Sequence, residues 1–123
     1  MPTFEMLVKN GQTTANFKEF TVPTGGQAEP TAYELFLTGL GSCTAATIAG
    51  YCKMQGLPSE GLRVVMSVEQ NPETRMATSI TMQILPPADF PAERKPELAQ
   101  AAERCLVKRH LFTPPTFETI VIE

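Results

Sequence analysis

An α+β fold is predicted by three features of the sequence. Strand-like and helix-like runs follow one another in the order ββ-α-ββ-α-β. Gly, Pro and Asn punctuation separates them, with no internal repeat. No linker or shift in composition divides the 123 residues, so one domain over 1–123 is expected. A chain this short exposes much of its surface, and extra core from a second subunit would suit it.

Residues 3–9 read as the first strand, closed by the hairpin signal Asn10-Gly11. Residues 13–22 alternate imperfectly and are expected to return as a single strand. Residues 23–30 are rich in Pro and Gly and read as a loop. Thr31 is a fair N-cap, and Glu34 stands at the capping-box spacing. The first helix is expected over 32–55, with Gly56 as its stop. Gly39 and Gly41 predict a kink or break in its middle.

Residues 62–69 and 76–85 read as two strands around an Asn71-Pro72 turn, and Pro86-Pro87 ends the second. The second helix is expected over 95–107, with Pro96 in its first turn. Its apolar stripe is Leu98, Ala101, Ala102, Cys105 and Leu106, which turns Cys105 toward the core. Pro114-Pro115 reads as a loop and 117–122 as a final strand.

Ten basic and thirteen acidic residues leave a charge of −3, with no positive field to gather phosphate backbones. Nucleic acid is therefore not an expected partner. The opening MPTFEMLVKN has no basic segment leading into an apolar run, so no secretory signal is expected. Three widely spaced cysteines do not make a disulfide scaffold, and they point to the reducing cytoplasm. The uncharged stretch 35–52 approaches the length of a membrane span. It is small and polar rather than greasy, and reads as a helix buried in protein. A central helix shared between two subunits would fit it.

Cys43 stands in Gly-Leu-Gly-Ser-Cys-Thr. Small neighbours give access, and a helix segment starting near Gly41 would supply free N–H groups. On these residues alone, a reactive thiol and an inert core cysteine both remain open. Cys105 comes 62 residues later on the buried stripe of another helix. Cys52, nine residues after Cys43, falls about 180° around an ideal helix and reads as structural. His110, the sole histidine, follows Lys108-Arg109 at a helix end, where cations suit the dipole. No spacing matches a metal site, so neither a metal nor a cofactor is expected. The glycines lack the ending of a phosphate loop. Arg63, Arg75 and Arg94 read as surface charges, and Met54, Met66, Met76 and Met82 as fillers of core gaps.

The run Pro30-x-x-x-Glu34-Leu35-Phe36-Leu37-x-Gly39-Leu40-Gly41-Ser42-Cys43-Thr44 resembles the first cysteine motif of the OsmC/Ohr family, the osmotically inducible and organic-hydroperoxide-resistance proteins. Ala101-Ala102-Glu103-Arg104-Cys105-Leu106-Val107 resembles its helix-borne second motif. The resemblance extends over about 30–123. It implies an OsmC-like intertwined homodimer with long central helices. It also implies attack of Cys43 on a small hydroperoxide, resolution by Cys105, and reduction by a dithiol of the dihydrolipoyl type. The match is nearer the less characterised OsmC-like branch than the proven peroxidases. Unlike the proven peroxidases, the chain has no Arg before Arg63 and has Tyr33 where they carry Glu, and Leu106 follows the second cysteine where Pro is usual in the family. Glu34 is the nearest carboxylate to that Glu position, and Lys9, Lys18 and Arg109 are the candidate replacements for the Arg.

The leading expectation is thus a cysteine-based peroxidase with Cys43, Cys105 and Glu34 as catalytic residues. Tyr33, Phe36, Leu40 and Phe112 are the expected pocket residues. The alternatives are a non-catalytic dimer that binds a small apolar ligand, and a disulfide switch that senses oxidation without turnover.

Overall fold

The computed structural model describes residues 3–122. The chain forms two compact units, one reaching Thr38 and the other starting at Gly39. The long helix runs through this boundary.

The first unit is a three-stranded antiparallel meander of β1 (Glu5–Lys9), β2 (Gln12–Phe17) and β3 (Phe20–Thr24). Asn10 and Gly11 take φ of 54° and 74°, the paired positive values of a tight hairpin turn, and Lys9 faces Gln12. The single strand expected over 13–22 is instead two. The chain reverses at Lys18 and Glu19, and Phe17 faces Phe20. Lys18 adopts φ 51° without being Gly or Asn, so no turn residue announces the reversal. Phe4, Phe17 and Phe20 form an aromatic row, with ring centroids 5.0 and 5.5 Å apart, across the ends of the strands. The loop expected from Pro23 starts two residues later, because Pro23 lies in β3. β3 is an edge strand, where a missing N–H is tolerated.

Helix α1 covers Ala32–Gln55, as its capping residues predict. The Thr31 hydroxyl accepts from the Glu34 N–H at 3.0 Å, and the Glu34 carboxylate accepts from the Thr31 N–H at 2.9 Å. At the other end Gly56 turns to φ 67°. The Leu57 N–H then reaches the Cys52 carbonyl at 2.8 Å, and the Gly56 N–H the Lys53 carbonyl at 3.4 Å, a Schellman cap. The helix is not broken at Gly39 or Gly41. Glycine weakens a helix by only about 1 kcal/mol per residue, less than caps and packing supply over six turns. By length and composition α1 could cross a membrane, a test that the core helix of a globular protein also passes. Its buried stripe is Leu40, Thr44, Ile48 and Cys52, at helical i, i+4 spacing.

In the second unit β4 (Arg63–Gln70) and β5 (Ala77–Leu85) form an antiparallel hairpin. The Asn71 side chain accepts from the Glu73 and Thr74 N–H groups in the connecting turn. Val64, Met66 and Val68 face Ile84, Met82 and Ile80 on the half-buried side. Ile48, Cys52, Phe90 and Leu98 form the core, flanked by Leu57, Leu62, Val64, Ile84 and Ala102. Cys52 is therefore a structural residue, and burial raises its thiol pKa. The methionines divide. Met66 and Met82 are half-buried on the sheet, whereas Met54 and Met76 are exposed rather than core fillers.

The second helix departs from expectation. Instead of one helix over 95–107 there is a short 3-10 turn at Ala92–Arg94, then α2 (Pro96–Ala102) and α3 (Leu106–Phe112). The N–H groups of Glu103, Arg104 and Cys105 bond three residues back, which tightens and ends α2. Cys105 then extends, with ψ 124°, and caps α3. The expected stripe splits accordingly: Leu98, Ala101 and Cys105 are buried, but Leu106 is exposed. Residues 117–122 are not a strand. Phe117, Ile120, Val121 and Ile122 lie exposed, with no neighbouring edge to complete a ladder.

Candidate functional site

Two elements of the second unit bring Cys43 and Cys105 together. Cys43 lies on α1, one residue before the buried Thr44, and is itself half-buried. Cys105 is fully buried at the start of α3. Its thiol points to the Leu40 carbonyl, with the sulfur 3.9 Å from that oxygen. The break between α2 and α3 makes this approach possible. It leaves the first N–H groups of α3 without helical partners and turns them toward α1.

The Cys43 thiol is held below its ordinary pKa. The Val107 N–H is the largest cause, since it donates to the thiolate form. Burial opposes it. The Cys105 thiol, the Leu106 N–H and the Thr47 hydroxyl each add to the lowering. In this structure the single Thr47 hydroxyl proton goes to the Cys43 carbonyl at 2.7 Å. Backbone dipoles thus favour the thiolate form of Cys43. Sequence reasoning missed Thr47, Leu106 and Val107. Thr47 was findable, one helical turn after Cys43. The two amides were not, because they depend on where α3 begins. The three cysteines are free thiols.

An apolar cavity of ≈ 430 Å³ lies against Leu40 and Thr44 of α1, and neither Cys43 nor Cys105 lines it. Leu40 and Thr44 of α1, Ile80 and Met82 of β5, and Leu111 and Phe112 of α3 line it. Glu103 and Lys108 stand at its rim and pair at 2.8 Å. Of the expected pocket residues, Leu40 and Phe112 line this cavity. Tyr33 and Phe36 belong to the first unit and stack on each other, with centroids 6.1 Å apart. Glu34, expected to be catalytic, has its carboxylate engaged in the helix cap. His110 donates from Nδ1 to the Leu106 carbonyl at 2.7 Å, a local brace on α3. Arg109 lies beside it along a second groove.

Arg94 is not a free surface charge. Its guanidinium grips Glu97 at 2.7 and 2.8 Å and reaches Gln55 at 3.0 Å. The Arg94 hydrogen bonds pull the Glu97 carboxyl down to about 2, and Tyr51 adds to this. Among the described residues, no three His, Cys, Asp or Glu side chains form a metal-holding group.

A family model for OsmC-like proteins matches residues 24–120, which include Cys43 and Cys105. The chain belongs to the OsmC-like family. Solved structures share the fold at low identity. An OsmC-like protein from Mycoplasma pneumoniae is 15% identical, with TM-score 0.74 over 93% of this chain and 89% of that one. A hypothetical protein from Aquifex aeolicus is 13% identical, with TM-score 0.75 over 93% and 89%. An OsmC-like hydroperoxide resistance protein from Jannaschia is 20% identical, with TM-score 0.55 over 91% and 85%. No curated protein matches the sequence.

Proposed function

We propose that the chain is a thiol-dependent redox protein that reduces small hydroperoxides. The observation that carries this reading is the Cys43 thiol, lowered in pKa by the Val107 N–H with the Cys105 thiol beside it. Family membership and the hydroperoxide resistance protein among the structural neighbours support it.

The Cys43 thiolate attacks one peroxide oxygen. The O–O bond breaks, Cys43 becomes a sulfenic acid, and the leaving alkoxide takes a proton to become the alcohol. The Cys105 sulfur then attacks the sulfenic sulfur. A disulfide forms, and water leaves with the Cys105 proton. A dithiol of the dihydrolipoyl type reduces the disulfide and is itself oxidised. The cavity at Leu40 and Phe112 takes the apolar group of an organic hydroperoxide. Glu34 serves the helix cap, and catalysis rests on the two cysteines.

The working form in this proposal is a homodimer in the reducing cytoplasm. Two exposed surfaces support the dimer: the small residues Ser42, Ala46 and Gly50 along α1, and the apolar segment 117–122. The cavity also favours a second reading, a non-catalytic protein that retains a small apolar ligand there.

Stopped-flow oxidation of the reduced protein by cumene hydroperoxide and by H₂O₂ tests the proposal, with Cys43→Ser and Cys105→Ser alongside. The expected result is fast oxidation that requires Cys43 and ends in a Cys43–Cys105 disulfide. Oxidation no faster than that of an ordinary thiol overturns it and leaves the ligand-binding reading.

A further inference from the structure

A polar cluster away from the two thiols ties the segment that carries Cys105 to α1. The Tyr51 hydroxyl on α1 donates to Glu97 Oε1 on α2. Arg94 holds the same carboxylate through two bonds and reaches Gln55 at the end of α1. The face of the Tyr51 ring carries the Arg104 guanidinium, 5.8 Å from its centroid. Arg104 is the residue before Cys105, in the turn that ends α2. Three segments thus meet on one tyrosine, which stands eight residues after Cys43 on the same helix.

The hydrophobic core already anchors α2 through Leu98 and Ala101. It also holds Cys105 on the far side of the next turn, but the Glu103 and Arg104 side chains within that turn are both exposed. That turn leads directly into Cys105, so the seat of Arg104 bears on the final approach of the Cys105 sulfur. We propose that Tyr51, Glu97 and Arg94 form a latch that seats Arg104 and so sets the approach of Cys105 to Cys43. These are positioning residues for disulfide formation, and none of them touches either sulfur. The inference deepens the proposed function and rests on its pairing of the two cysteines.

The latch is tested by equilibrating the full-length reduced protein with glutathione and its disulfide, then trapping thiols by alkylation and counting the Cys43–Cys105 bond by mass spectrometry. The quantity read is the effective concentration of the two thiols. Glu97→Ala and Arg104→Gln are each expected to lower it about fivefold or more, because a displaced turn lengthens the approach. Arg104→Lys keeps a cation over the ring and is expected to retain most of the wild-type value. Arg104 is exposed, so its replacement leaves the urea midpoint of the reduced protein in place, which separates positioning from stability. A wild-type effective concentration in Arg104→Gln overturns the latch.

The equilibrium uses no peroxide, so the two ideas fail separately. A latch effect without oxidation by hydroperoxides sinks the peroxidase reading alone. Peroxide turnover with an unchanged effective concentration sinks the latch alone. A wild-type chain that forms no Cys43–Cys105 disulfide overturns both.

Discussion

The Cys105 sulfur lies 3.9 Å from the carbonyl oxygen of Leu40, three residues before Cys43 on α1. The second thiol is therefore held against the helical turn that carries the first.

The first prediction concerns Cys43 itself. Its pKa is lowered, so alkylation by iodoacetamide should rise with pH about a midpoint below that of an ordinary thiol. Cys105→Ala removes the thiol donor and should move the midpoint up. The sign for stability follows from linkage. A depressed thiol contributes stability fully above its unfolded pKa and loses it as pH falls through the folded one. Urea midpoints of wild type and Cys43→Ala should thus converge on acidification through that window.

Glu97 should show the same sign at acid pH. Its carboxyl is lowered to about 2 by Arg94 and Tyr51. The stability it contributes is present above the ordinary carboxylate pKa and is lost as pH falls through about 2. Carbon-detected NMR should follow this titration, and Arg94→Ala should bring the midpoint back toward the ordinary range.

Core and cap residues make separate predictions about stability. Ile48 is fully buried, so Ile48→Ala should cost about 2–5 kcal/mol in urea unfolding, which includes the cavity left behind. Gly56 has open space around it but sits at φ 67°. Gly56→Ala should therefore cost only the left-handed strain, about 1–2 kcal/mol.

The cavity predicts selectivity. Ala99 is exposed and lines it, so Ala99→Trp can narrow the cavity without disturbing the core. Oxidation by cumene hydroperoxide should slow while oxidation by H₂O₂ stays near wild type. Equal slowing of the two would remove the cavity from substrate binding.

Much of this protein follows from the sequence by itself. The limits of α1 rest on Thr31, Glu34 and Gly56, each acting within one turn of a helix end. The first hairpin rests on Asn10-Gly11, whose backbone takes the positive φ values that such a turn requires. The core position of Cys52 follows from helical spacing. Two cysteine motifs in the right order identify the family, since motif order needs no coordinates. All of these signals are local, and a local signal is readable wherever few conformations satisfy it.

Tertiary structure decided the rest. Neither Lys18-Glu19 nor Glu103-Arg104 holds a Gly, Pro or Asn, yet the chain turns at both. At the second turn, burial of Cys105 against α1 outweighs the continuous helical stripe from Leu98 to Leu106. That one break starts α3 at Leu106, turns the Leu106 and Val107 amides toward Cys43, and sets the lowered pKa. Residues 117–122 are rich in aromatic and β-branched side chains, as strands are, but have no edge to pair with among the described residues, and a strand exists only when another supplies the hydrogen bonds. A helix carries its hydrogen bonds within its own segment. A site built from an amide and a thiol more than sixty residues apart exists only once the chain has packed.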